Sequence, residues 1–599
     1  MSNLGEPWAV DHQALLSKHD IVYQTPPYEG YEAFPLGNGD IGAMVWNQPA
    51  STIFAINKND AWDRRGAGSG EGHLTALRSC GRLLIEESVP AFAWEQLTDF
   101  EARLDMYRAE LTSTSETPFS RVGLRAFLPR GTNAIIVHYD AERSEASMLR
   151  IALERWGSRV FPYWYAGCDA ATEDPVLGTA TGSLDETIWL AHPLADRTIG
   201  LACVVMLPEP ANGAPEVRVV IENSHRATLE IAPRKRHRLT VAVGVAVVEH
   251  QGGDVSAYRE GAVQAALAEA RAALRDLESV RARHLEYWRD FWSRGFVALP
   301  DDYLENLYYF NLYQMASSSQ GKFPNLFCGG LWIWNHDVRN WTNPHHWNQQ
   351  MLTWPLFAAN RLELAVPYIE TYHRLYQKAR EYAAELGCPE GIQITENHTF
   401  FGDMLGRHSS SFRYNYTPAA QIGLIMWWYY KYSGDEEFLR RVAYPWLKGV
   451  VNFYLHLLRW DDRRQVYTWY PATPYESGTS RLHRDTITDN AMIRWLAQVI
   501  PEAARTLNTD EELAGRIQSV AAALPEFPTM QLESGETAFG SGYLEDGSVV
   551  REPDMFGAYY SPVFPAGVIG LSDRGTDQFE LAKASVRSHK LSGPCIAPK

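Results

Sequence analysis

Residues 324–355 read PNLFCGGLWIWNHDVRNWTNPHHWNQQMLTWP, where tryptophans, histidines, asparagines and an aspartate crowd around a Gly-Gly pair. No 3.6- or 2-residue apolar period runs through the stretch, so it is not patterned as an ordinary core element. Aromatic faces interleaved with amide, imidazole and carboxylate groups suit a polyhydroxylated ligand. The C–H face of a sugar stacks on indole while its hydroxyls take fixed donors and acceptors. Trp334, His336, Asp337, Trp341 and His345 are candidate sugar contacts, joined by Asn397 and His398 from a second aromatic loop. Read as structure alone, the stretch is a Trp-rich buried loop between two helices, which must satisfy all of those polar groups internally. His336, Asp337, His345 and His346 have donor chemistry that suits Zn or Mn. They lack a helical i, i+4 pair or a known ligand spacing, so neither a metal nor another cofactor is expected.

The elements that must position these groups are bounded by the totals. A chain of 599 residues splits into two or more domains. Its 45% hydrophobic and 21% charged residues are ordinary for a globular protein, whereas 20 Trp and 30 Tyr favour a stacking ligand. A net charge of −17 argues against nucleic acid and anionic membranes as partners, which need a basic footprint, and favours a neutral carbohydrate. The six cysteines are scattered without a CxxC pair, indicating neither a zinc site nor a disulfide framework. No basic n-region leads into an apolar run at the start and no 18-residue apolar run occurs, so the expected location is cytoplasmic, unless a signal peptide has been removed.

Residues 20–250 show short β-type runs broken by Gly, Pro, Asn and Asp, at 41–46, 134–139, 149–153, 199–206, 216–222 and 239–248. This spacing predicts a large antiparallel sandwich. Residues 35–40, PLGNGD, read as a tight turn feeding a strand; no helix N-terminus follows to hold a phosphate. Residues 57–63, NKNDAWD, read as a polar loop with one buried aromatic. From 258 to 292, apolar residues recur at helical spacing, predicting one or two long amphipathic helices as a linker. Helices are predicted at 303–319, 356–386, 418–433, 436–458, 490–507 and 511–524, separated by polar aromatic loops, as in a helical barrel or toroid. The expected organisation is a β-sandwich over 1–255, a helical linker over 256–300 and a barrel over 301–599.

Five segments in register resemble glycoside hydrolase family 95, the inverting α-L-fucosidase and α-L-galactosidase group, and its uncharacterised relatives. They are PLGNGDIGAMVW with INKNDAWD at 35–63, YFNLYQMASSSQG at 309–321, the 331–355 stretch, YYKYSGDEEFLRRVAYPWLKGVVNFY at 429–454, and WYPATPYES with DTITDNAMI at 469–493. The resemblance implies an N-terminal antiparallel β-sandwich, a helical linker and an (α/α)6 barrel with the site in the barrel mouth. Inversion needs an acid that protonates the leaving oxygen and, roughly 6.5–9.5 Å away, a base that activates water. The family motif points to Glu476 as acid, with Tyr475 inserted where the family places Glu directly after proline. Of the two asparagines that orient base and water in the family, the second corresponds to Asn348 and the first falls on His346, an imidazole that titrates near neutrality.

The family's base is an aspartate in a Gly-Asn-Phe-Gly context, and none occurs before Lys599. Either the barrel lacks its last helices or another carboxylate serves, with Asp337, Glu396 and Asp403 as internal candidates. The leading expectation is an inverting exo-α-L-glycosidase of fucosidase type. The alternatives are an inactive or truncated carbohydrate-binding relative, a lyase in which Tyr475 and His346 supply the base, or a phosphorylase drawing on Arg339, Arg407 and Arg413 for phosphate.

Overall fold

The computed structural model describes residues 10–64, 75–161, 172–175, 178–208, 216–250, 255–327, 329–334, 346–475, 481–551 and 557–588. The chain forms two compact units, 1–342 and 343–599. The first unit carries one 14-stranded antiparallel sheet wrapped into a sandwich. The two strands expected at 134–139 and 149–153 are one strand, Ala134–Glu154, and its partner Arg226–Glu249 is longer still. The first half of Ala134–Glu154 pairs with Ser120–Phe127 and the second half with Thr75–Glu87. Arg226–Glu249 likewise pairs with Val217–Asn223 near its start and Arg197–Met206 near its end. Register shifts between Ile231, Arg234 and Arg236 supply the bend that lets long strands change neighbours midway and serve both layers.

The stretch 57–63 corrects the sequence reading. It is not a loop but the second half of the strand Ser51–Arg64, with register shifts around Asn57. Its polar residues are buried because they replace ladder partners. The Asn57 amide donates to Ile333 O at 2.9 Å, and Asn59 donates to Phe323 O at 2.7 Å while accepting from Phe323 N at 2.7 Å. Lys58 Nζ reaches Asp40 at 2.8 Å and Asp60 at 2.9 Å. Burial alone penalises that ammonium, but the two carboxylates outweigh it and hold its pKa above the usual lysine value. The 35–40 turn is structural as expected: Asn38 accepts from Asp40 N and Ile41 N, and donates to Pro129 O and Thr132 O. Both motifs therefore clamp chain rather than bind ligand.

The expected linker is two helices, Val255–Arg275 and Leu277–Ser293, the second capped by the Asp276 carboxylate on Ser279 N. Ala262, Ala266, Ala270 and Ala273 of the first are buried against the sheet. Trp288 of the second stacks on Tyr313 of the helix Asp302–Ser318 at a centroid distance of 5.4 Å, and Trp292 meets Tyr309 of the same helix edge-on at 6.1 Å. That helix counts with the first compact unit.

The second unit is helical. The helix expected over 356–386 is three segments, Trp354–Ala358, Leu362–Arg374 and Tyr376–Glu385, the first break falling where Asn360 takes φ 57°. Thr417–Ser433 sits at the centre, buried at every residue from Thr417 to Trp427 and touching Leu362–Arg374, Tyr444–Leu457 and Ile487–Leu507. Pro418 starts it where no N–H is needed, and Gly434 at φ 69° closes it. Among the described residues no helix is long and apolar enough to cross a membrane.

Contact between helix and sheet in the first unit is set by Gly244. A Cβ there would lie 1.9 Å from Ala266 O and 2.7 Å from Ala270 N, so the helix backbone rests directly on the strand. Gly244→Val is expected to destabilise the chain by about 1–3 kcal/mol, because backbone cannot move aside as a side chain can. Urea unfolding measures it; an unchanged midpoint would refute the close approach.

Candidate active site

Three short pieces of the second unit bring together the polar groups of its interior. The helix His346–Met351 supplies His346 and Gln350, the segment before the hairpin Asn397–His398/Met404–Leu405 supplies Glu396, and the start of Thr417–Ser433 supplies Gln421 behind Asn415. His346 and Glu396 are 0% and 1% exposed. His346 Nδ1 meets Glu396 Oε2, and the backbone repeats the link, His346 N donating to Glu396 O at 2.9 Å. Asn415 Nδ2 donates to the same Glu396 oxygen at 2.9 Å, while Asn415 Oδ1 accepts from the Thr417 hydroxyl at 2.9 Å. On the other side of the ring, Nε2 faces Gln421 Oε1 at 3.1 Å, an oxygen that also accepts from Gln350 Nε2 at 2.5 Å.

His346 Nδ1 faces Glu396 Oε2 and Nε2 faces Gln421 Oε1, so both ring nitrogens are turned toward groups of the protein itself. The Glu396 carboxylate keeps an oxygen to spare: among the described residues Oε1 takes no hydrogen bond. Between buried His346, Trp347, Gln349 and Gln350, the half-buried Asn348 is the residue of this turn that reaches solvent.

A second buried system holds the strand-like stretch that leads to Glu476. Asp485 accepts from Trp469 N at 3.1 Å, from Arg464 at 2.9 Å and from the Thr468 hydroxyl. Ala472 and His483 pair as an antiparallel bridge. Asp489 lies beneath it and accepts from Tyr454 OH at 3.0 Å and from the Thr486 hydroxyl. Burial raises its pKa to about 7, although the hydrogen bonds from Thr486, Tyr454 and Trp469 pull the other way. Tyr475 packs edge-on against Trp347 at 5.3 Å, which places it beside the His346 helix.

The remaining sequence candidates fall differently. Glu476, His336, Asp337, Trp341 and His345 lie outside the described residues. Trp334 packs in the first unit against the cluster of Met44, Trp46 and Ile53, edge-on to Tyr31. His398 is buried, its Nδ1 at 3.1 Å from Thr395 O and its Nε2 at 2.9 Å from Tyr372 OH, so the protein uses both ring nitrogens. Asn397 is half-buried in the hairpin, and Asp403 accepts from the Thr399 hydroxyl at 2.7 Å, closing the turn between the two strands. Among the described residues no group of three His, Cys, Asp or Glu is arranged to hold a metal. Sequence reasoning missed Asn415, Gln421 and Asp489. The signal for Gln421 was present, a lone amide in the apolar run TPAAQIGLIMW.

Residues 276–536 match the glycosyl hydrolase family 95 catalytic domain, and residues 21–77 the N-terminal domain of glycosyl hydrolase family 65. A kojibiose hydrolase of Flavobacterium johnsoniae is 21% identical over 197 residues, covering 32% of this chain and 28% of that protein's length. A putative kojibiose phosphorylase from the human microbiome has the same fold, with a TM-score of 0.59 at 13% identity over 85% of this chain and 70% of that one.

Two outcomes test the buried groups. Glu396→Ala leaves the buried His346 ring without its Nδ1 neighbour and is expected to cost about 1–3 kcal/mol. Adding His346→Asn should recover part of that loss in a double-mutant cycle read by urea unfolding; strictly additive losses would contradict the pairing. Asp489 has its folded pKa raised above its unfolded one, so its contribution is full below the unfolded pKa near 4 and is lost as pH rises through about 7. Asp489→Asn is expected to flatten the fall in stability between pH 4 and 8, and an unaltered slope would disprove the raised pKa.

Proposed function

Since the chain is a relative of glycoside hydrolase family 95, we propose that it is an inverting exo-α-glycosidase acting on a neutral oligosaccharide or glycoside. The observation that carries this reading is the buried His346–Glu396 pair, set beside the solvent-reaching amide of Asn348. His346 and Asn415 hold one oxygen of the Glu396 carboxylate, and Oε1 remains to take a proton from water. Asn348 orients that water by its amide. Glu476 supplies the proton to the leaving oxygen, on a loop whose approach is tied down by Asp485. His346 is then a positioning residue: where the family has an amide, this chain has an imidazole that holds the base in place.

The sugar follows from two sources. Family 95 suggests an α-L-fucoside or α-L-galactoside, while the relatives' names add kojibiose. Phosphorolysis is the second reading, supported by the likeness to a kojibiose phosphorylase.

The test is a turnover screen of nitrophenyl α-L-fucoside, α-L-galactoside, β-L-arabinopyranoside and α-L-rhamnoside together with kojibiose, each with and without phosphate. Hydrolysis is expected without phosphate, with an inverted anomer visible by proton NMR. Glu476→Gln and Glu396→Gln should each lower kcat by roughly 10²-fold or more while circular dichroism stays unchanged. Turnover only with phosphate, yielding a glycosyl phosphate, would select the phosphorylase. Undiminished kcat in Glu396→Gln would remove that residue from the reaction.

A further inference from the structure

The sandwich carries a groove of about 560 Å³ that the glycosidase reading leaves unused. Its floor is one face of the sheet, and the register builds it row by row. Thr112, Arg125, His138, Thr240 and Met206 are successive cross-strand partners on five neighbouring strands, so their side chains stand in a line on the same face. Two residues along, Thr114, Gly123, Asp140 and Arg238 form a second row in which Gly123 contributes no side chain. A Cβ there would meet nothing closer than Asp140 O at 3.9 Å, so the centre of the groove is open. Two residues the other way, Phe127, Ile136 and Ala242 are apolar and lie under the helix Val255–Arg275. The sheet face turns polar where its helical cover ends.

The polar rows are incompletely paired. Arg125 makes no ion pair or hydrogen bond with any described residue, and its Nε is buried without a partner. His138 Nδ1 contacts Thr240 Oγ1 at 3.0 Å, but its Nε2 is also buried without a partner. The carboxylates that could neutralise Arg125 are committed elsewhere: Glu110 is bidentate to Arg281 at 2.7 and 2.8 Å, and Asp140 is bidentate to Arg236 at 3.1 and 2.9 Å. A half-buried guanidinium with no carboxylate beside it, and with its Nε shut off from water, presents free donors to an anion entering the groove. Threonine hydroxyls and the Met206 side chain, 42% exposed at the end of the row, supply the mixed lining that a sugar ring uses.

We propose that this groove is a second saccharide site, selective for a sugar bearing an anionic group, with Arg125 receiving the anionic oxygens and His138 and Thr112 the neighbouring hydroxyls. The anion is the carboxylate of a uronic unit or the phosphate of a sugar ester; the guanidinium chemistry is the same for both. The site is separate from the catalytic residues, so it would hold an acidic branch or chain on the sandwich whatever sugar is cleaved in the helical unit. Binding should also be pH-dependent. Burial and then Arg125 depress the His138 pKa to about 4, with Arg281 acting in the same direction and Glu110 opposing. A bound anion raises that pKa, so binding takes up protons and tightens as pH falls from neutrality toward the depressed value.

Calorimetric titration of the whole chain with glucuronate, glucose 6-phosphate, glucose and inorganic phosphate tests this. One saturable site is expected for glucuronate or glucose 6-phosphate, at least tenfold tighter than for glucose; which of the two binds identifies the anion. Arg125→Gln and Gly123→Val, the latter filling the open centre with a residue that suits a strand, should each weaken it tenfold or more with unchanged thermal unfolding. Turnover in the screen above should be unaffected by either variant, and binding should persist in Glu396→Gln, which separates this site from the catalytic one. No binding by either anionic sugar, equal affinity for glucose, equal affinity for inorganic phosphate, or undiminished binding to Arg125→Gln would each overturn the assignment.

Discussion

An imidazole and a carboxyl group, His346 and Glu396, face each other in the helical unit with almost no exposure to water, and that pair dictates much of what surrounds it. Buried polar groups are costly unless they are hydrogen-bonded. Their neighbours are accordingly amides and a hydroxyl, Asn415, Gln421, Gln350 and Thr417. The central helix must bring Gln421 into an otherwise apolar interior, which is why it is buried from its first turn. One oxygen of the Glu396 carboxyl group is held by this network, and among the described residues the other takes no hydrogen bond.

The sandwich follows a parallel logic with neutral groups. Asn57 and Asn59 stand where a strand would bond to another strand and instead bond to the backbone at 323 and 333, so the chain leaving the helix Asp302–Ser318 is held by amides before the aromatic stretch begins. Trp332 adds its indole N–H to Leu36 O at 3.3 Å. Motifs rich in Asn, Asp and Gly thus serve as clamps on the route to a site. Where such pairing is incomplete, at Arg125 and His138, the deficit coincides with an open groove and points to a ligand from outside the chain.

Legibility tracked the range of the interaction. Strand and helix periods at 199–206, 258–292 and 418–433 were readable because local burial imposes them. The 57–63 segment was misread because its polar residues carry no apolar period; their partners lie more than 250 positions away, and only tertiary contact makes a strand of them. Ala134–Glu154 was read as two strands because its exposed middle, where it passes between layers, breaks the alternation. The helix over 356–386 was read as unbroken because nothing in its composition announces the left-handed turn at Asn360.

The sequence by itself determined the two-part architecture, the likeness to a glycosidase family and the stretch from which His346 and Asn348 come, since all three rest on local patterns and contiguous motifs. Only the tertiary structure decided that His346 faces Glu396, that Asn415 and Gln421 surround the pair, and that burial raises the pKa of Asp489. A side chain's partners and a buried group's pKa depend on which distant atoms surround it and on the exclusion of water, and neither is written along the chain.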